Sequence, residues 1–117
     1  MADDNIELEK GFREKIYQLM RELPIDKVTT YGDLAALAGQ PRAARIVGGI
    51  AHQGPDDLPW HRLVNKEGGL AIGYHGGQEV QRQILEQDGI TCTDYKVDDF
   101  GERRWRPEWN EQNLRLL

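Results

Sequence analysis

Between Thr30 and Gln53 the chain starts a helix, stops it and starts another, leaving room only for a tight turn between them. Thr30 can cap the free amides of a helix beginning at Tyr31, and Asp33 stands at the position from which a capping-box acid answers. Gly39 supplies the left-handed residue that ends such a helix, and Pro41 suits the first turn of the next, where its missing N–H would be unpaired anyway. Ala35 is small where the second helix must cross closely, and Ala43, Ile46, Val47 and Ile50 give that second helix, read over Arg42 to Gln53, its inner face. The segment reads as a helix-turn-helix.

The rest of the chain supplies a base for this pair. Leu8, Phe12, Ile16, Leu19, Met20 and Leu23 recur at helical spacing and predict an amphipathic helix over Ile6 to Leu23, ended by Pro24. Leu63-Val64 and Leu70-Ala71-Ile72 flank Asn65-Lys66-Glu67-Gly68-Gly69 as in a small hairpin, a wing beside the helices. Val80, Ile84 and Leu85 predict a last helix between Gln78 and Asp88, closed by Gly89. Ile90 to Leu117 reads as polar and irregular, with an aromatic-basic cluster at Trp105-Arg106-Pro107-Glu108-Trp109. With 117 residues, the chain is expected to form one domain, a core at about 6–90 and an extension at about 91–117.

Composition removes several classes of function. No apolar run approaches the roughly 20 residues of a membrane span, and the acidic start Met1-Ala2-Asp3-Asp4-Asn5 is unlike a signal peptide, so a soluble cytoplasmic protein, acting as a monomer, is expected. A single cysteine, Cys92, and three scattered histidines offer no zinc-type spacing, so neither a structural metal nor a cofactor is expected. The formal charge of −5 argues against nucleic acid when taken whole. The charge is segregated, however. Glu79 to Glu102 holds seven acids and two bases, whereas Gln40 to Gln53 carries Arg42, Arg45 and His52 with no acid, which leaves one face able to meet a polyanion.

The most informative string is Pro59-Trp60-His61-Arg62-Leu63, preceded by Tyr31-Gly32-Asp33-Leu34-Ala35 and Ala43-Ala44-Arg45-Ile46-Val47-Gly48 and followed by Gly73-Tyr74-His75-Gly76-Gly77. In this order and spacing these strings resemble the C-terminal DNA-binding domain of the O6-alkylguanine-DNA alkyltransferases, over about residues 8–90. The resemblance implies a mainly α, winged helix-turn-helix fold with a small hairpin wing and an irregular C-terminal tail. That family's signature is Pro-Cys-His-Arg-Val, and its cysteine accepts the alkyl group. Here the position holds Trp60, and Leu63 replaces valine. A thiolate is polarizable and readily formed, whereas a neutral indole has no available lone pair, so Trp60 cannot accept an alkyl group as cysteine does. The pattern therefore resembles the alkyltransferase-like branch, which keeps the DNA-binding surface and lesion pocket, lacks the cysteine, and marks alkylated guanines for nucleotide excision repair.

The resemblance implies a role for each matching residue. Arg45 matches an arginine finger that enters the stack from the minor groove and fills the space of the flipped nucleotide; as an isolated motif it reads as a solvated surface arginine. Tyr31 matches a tyrosine that presses on the phosphate 3′ to the lesion, or else is a capped core tyrosine, and Arg42 is expected to hold phosphate. Trp60 would line the pocket as a π-rich wall, with Tyr74, His75, Gly76 and Gly77 opposite, the glycines letting backbone amides approach the base edge. His61 and Asp88 occupy the positions of a proton relay in the enzymes; without a thiol to activate, they are expected to be buried hydrogen-bonding groups that shape the pocket.

Three functions compete. A non-catalytic binder of O6-alkylguanine in duplex DNA ranks first. A residual alkyltransferase, or a glycosylase using Asp88, Glu86 or Cys92, ranks second. A winged-helix regulator reading base sequence with the helix from Arg42 ranks third, because Ala43, Ala44, Gly48 and Gly49 leave few side chains to read base edges.

Overall fold

The computed structural model describes residues 2–107, with side chains from Gly11 onward. In chain order it contains α1 (Ala2–Glu22), β1 (Thr29–Thr30), α2 (Tyr31–Leu37), α3 (Ala44–His52), a single 3-10 turn (Trp60–Arg62), β2 (Leu63–Val64), α4 (Gly77–Gln87), β3 (Cys92–Thr93), β4 (Lys96–Val97) and α5 (Phe100–Arg103). The molecule is mainly helical with two small sheets.

Helical periodicity in α1 turns Phe12, Ile16 and Met20 inward, where, with Leu23 just beyond the helix, they pack on Leu34 and Ala35 of α2 and on Val47 and Ile50 of α3. Leu8, expected on the same face, has a side chain outside the described residues. Ile16 and Leu34 are fully buried, and each such side chain contributes roughly 1.5–3 kcal/mol. A second cluster, Val28, Val64, Leu70, Leu85, Ile90 and Val97, joins α4 to the small sheets. Ala35 is completely buried, consistent with the close crossing expected of it.

Thr30 does cap α2, its Oγ1 accepting the amide of Asp33 at 3.0 Å. Asp33 does not return the bond as a capping-box acid. Its carboxylate instead accepts Nε and an Nη of Arg104 at 2.7 and 2.9 Å, tying the start of α2 to the C-terminal segment. α3 begins at Ala44 rather than at Arg42: residues 40–43 form a turn closed by the Ala43 amide on the Gln40 carbonyl at 2.9 Å, so Pro41 lies before the helix and not in its first turn.

The expected hairpin is also corrected. Leu63–Val64 pairs in parallel with Thr29–Thr30, and does not pair with Leu70–Ile72. The turn at Asn65–Gly69 exists, held by Asn65 Oδ1 accepting the amides of Glu67 and Gly69. Beyond it, Leu70 donates to the Tyr95 carbonyl. The small hairpin lies later in the chain, where β3 and β4 pair antiparallel. Residues 90–107 are therefore not irregular. Val28 donates to the Arg103 carbonyl and Trp105 donates back to Val28, so this extension flanks β1 on the side away from β2. Trp105 packs against the α1–α3 core; Glu108 and Trp109, the remainder of the aromatic-basic cluster, lie outside the described residues.

Candidate functional site: a cleft walled by Trp60

A cleft of about 1060 Å³ opens between the end of α3, the loop leading into the 3-10 turn, and the segment from Leu70 to His75. Tyr31, Trp60, His61, Tyr74 and His75 line it. Five of the pocket and DNA residues expected from sequence thus meet in one place.

Trp60 forms a wall anchored at both its polar and its apolar edge. The indole N–H donates to the Pro55 carbonyl at 2.9 Å, and Tyr17 of α1 meets the ring edge-on at 6.2 Å between centroids. Gly54 makes room for it. A Cβ at Gly54 would lie 2.8 Å from Trp60 Cε2, closer than carbon atoms approach, so the indole, hydrogen-bonded to Pro55, or the loop would have to shift. Gly54→Ala is therefore expected to lower stability by about 1–3 kcal/mol through overpacking and to shift the indole N–H resonance of Trp60. Denaturant titration with 15N-resolved NMR checks both; a variant unchanged in each would mean the seat is loose.

His61 and Asp88 are brought together, with Nε2 and Oδ2 at 2.6 Å. Burial pushes the imidazole below its ordinary pKa of 6.5, outweighing the opposing pull of Asp88, so the ring is neutral at neutral pH. Its Nε2 then carries the proton and donates to the carboxylate, leaving Nδ1 as an acceptor. The same carboxylate oxygen lies 3.3 Å from Arg62 Nε, and Arg62 also donates to the Pro24 carbonyl at 2.8 Å, pinning the 3-10 turn to the end of α1.

Tyr31 lines the cleft from the start of α2, half-buried, and burial pushes its hydroxyl pKa upward, so it is a neutral donor. Gly48 of α3 lies beside its ring. Arg42 and Arg45 are exposed outside the cleft, Arg42 in the turn before α3 and Arg45 in its first helical turn. Gly76 and Gly77 do not line the cleft. Both have positive φ, 91° and 88°, and they open α4; the geometry needs glycine for the bend and not for approach to a ligand.

Sequence reasoning missed the part that four residues play in the cleft. His52, read from sequence only as one of the basic residues of the segment from Gln40 to Gln53, stands at the end of α3 and stacks on His75 across the cleft with centroids 5.3 Å apart. Asp56 and Asp57 line the cleft from the loop before Trp60. Gln81, fully buried in α4, donates to the carbonyls of His61 and Leu63 and accepts the amide of Ala71, thereby joining the Trp60 wall to the segment that leads to Tyr74.

Comparison with known proteins places this geometry. Residues 11–90 match the model of the family described as 6-O-methylguanine DNA methyltransferase, DNA binding domain. The chain is 39% identical over 105 residues to the DNA base-flipping protein of Escherichia coli (strain K12), covering 88% of this chain and 81% of that one. It is 34% identical over 104 residues to alkyltransferase-like protein 1 of Schizosaccharomyces pombe, covering 82% of this chain and 95% of that one. The crystal structure of S. pombe Atl1 in complex with damaged DNA containing O6-carboxymethylguanine superposes with a TM-score of 0.71 at 31% identity, over 82% of this chain and 95% of that one. The M. tuberculosis OGT structure in complex with DNA superposes with a TM-score of 0.62 at 31% identity, over 67% of this chain and 48% of that one.

Proposed function

The chain belongs to the family of the 6-O-methylguanine DNA methyltransferase DNA-binding domain, and on that premise we propose that it is a non-enzymatic sensor that binds O6-alkylguanine in duplex DNA. The observation that carries this reading is Trp60, held by Pro55 and Tyr17 as a wall of the cleft. An indole fixed there gives a flipped base an apolar, polarizable surface without a group that can attack the alkyl carbon. Cys92 does not line the cleft, and burial, with Asp98 and Glu86 nearby, pushes its thiol up to about 11, so it holds little thiolate.

In this reading α3 lies along the minor groove. Arg45 enters the stack as the nucleotide leaves, Tyr31 presses on the phosphate 3′ to the lesion, and Arg42 holds phosphate. The flipped base enters between Trp60 and the Tyr74–His75 segment, with the His61–Asp88 pair shaping the floor. Acting as a cytoplasmic monomer, the protein would hold the lesion and flag it for nucleotide excision repair.

The test is equilibrium binding, at fixed salt, of two duplexes identical except for one O6-methylguanine, followed by mass spectrometry of the recovered protein and DNA. Tighter binding to the lesion with both masses unchanged is expected. Equal binding sinks the sensor and favours a sequence-reading regulator, while a gain of protein mass or a lost base would make this an alkyltransferase or a glycosylase.

A further inference from the structure

Resting on the lesion-binding reading, the charge of the cleft points to a selectivity among lesions. The two formally charged side chains that line it at neutral pH are both carboxylates, Asp56 and Asp57, on the loop that delivers Trp60. Among the described residues no lysine or arginine lines the cleft, and Arg42 and Arg45 lie outside on the turn before α3 and its first helical turn. The indole N–H is engaged by the Pro55 carbonyl and the Nε2–H of His61 by Asp88, so the side-chain donors left to an anion in the lining, the Tyr31 and Tyr74 hydroxyls and the Asn65 amide among them, bring no formal positive charge. Leu58, Leu70 and Ile84 add apolar surface to the lining.

We infer that Asp56 and Asp57 make this cleft selective for neutral and cationic O6-substituents and disfavour those bearing a carboxylate. An anionic substituent entering beside Trp60 gives up hydration, gains no cation, and meets two like charges across a medium less polarizable than water. Neutral groups lose less hydration, and cationic groups gain attraction. The S. pombe relative in complex with O6-carboxymethylguanine makes this a difference between two members of one family.

The experiment compares two substituents of nearly equal shape that differ by one charge. Duplexes bearing O6-carboxymethylguanine, O6-carbamoylmethylguanine, O6-methylguanine or guanine at one position are titrated with the full chain, by fluorescence anisotropy at about pH 8, above the ordinary histidine range. The carbamoylmethyl duplex is expected to bind about tenfold more tightly than the carboxymethyl duplex, with the preference reduced severalfold in the Asp56→Asn/Asp57→Asn variant. Both positions are exposed and the replacements are close in shape, so the fold is retained. Equal or tighter binding of the carboxymethyl duplex overturns the inference, as does a preference that survives the double substitution unchanged. Indifference to all three lesions relative to guanine overturns the lesion-binding reading itself, and the inference with it.

Discussion

Replacing Arg45 with alanine is expected to weaken binding to an O6-methylguanine duplex by about 30- to 100-fold and to erase most of the preference over undamaged DNA, with no change in unfolding midpoint. The side chain is exposed in the first helical turn of α3, so its removal leaves no cavity. What it removes is the group that offsets the few kcal/mol needed to unstack a nucleotide. Its surroundings suit that role, because Ala44 beside it and Gly48 and Gly49 one turn on keep the helix surface low enough for close approach to a shallow groove. A lysine variant separates stacking from charge. Lysine keeps the phosphate attraction but lacks a planar guanidinium, so Arg45→Lys is expected to recover binding to undamaged DNA and little of the lesion preference. Paired titrations of both duplexes check this, and discrimination unchanged in Arg45→Ala would remove the finger assignment.

That experiment tests the part of the site that was most legible in the sequence. The stop of α1, the start of α2 and the stop of α4 follow from local chemistry: Pro24 after an apolar stripe, Thr30 as a cap, Gly89 as a left-handed stop with φ of 83°; α1 itself begins at Ala2, ahead of the expected Ile6, where no apolar stripe marks the start. Pairings between distant segments were not legible. Leu63–Val64 could pair equally well, on pattern alone, with the nearby Leu70–Ile72 or the distant Thr29–Thr30, and burial of both faces of β1 decided for the latter. The β3–β4 hairpin was hidden for another reason. Its turn places Asp94 and Tyr95 at φ of 51° and 60°, a conformation usually signalled by glycine or asparagine. Thr91 and Thr93 support that turn by donating to Asp98, contacts with no sequence signature.

The same distinction separates the cleft residues. Trp60, His61, Tyr74 and His75 were visible because their spacing is local and resembles a family pattern. Asp33 shows the opposite case. Its position predicts a capping-box role, yet Arg104, remote in sequence, offers a bidentate charged partner, and a carboxylate that can accept two charge-assisted bonds is drawn from a single backbone amide. The C-terminal extension thereby becomes a support for the start of α2, where Tyr31 enters the cleft.

Gln81→Met is expected to lower unfolding free energy by about 3–5 kcal/mol, the largest stability effect among these substitutions. Methionine matches glutamine in length but leaves three backbone groups, the carbonyls of His61 and Leu63 and the amide of Ala71, without the partner they have in the folded state. Gln81 is completely buried, so water does not reach the side chain's position to replace it without local opening. Those three groups belong to both walls of the cleft. Loosening them is therefore expected to reduce affinity for an O6-methylguanine duplex as well, even at temperatures where the variant remains folded. Denaturant titration measures the first effect, and lesion binding well below the midpoint measures the second. A loss under about 1 kcal/mol would mean that the walls are held chiefly by Leu63, Leu70 and Leu85 packing. Full lesion affinity in a destabilised variant would mean instead that the base does not depend on the spacing Gln81 sets.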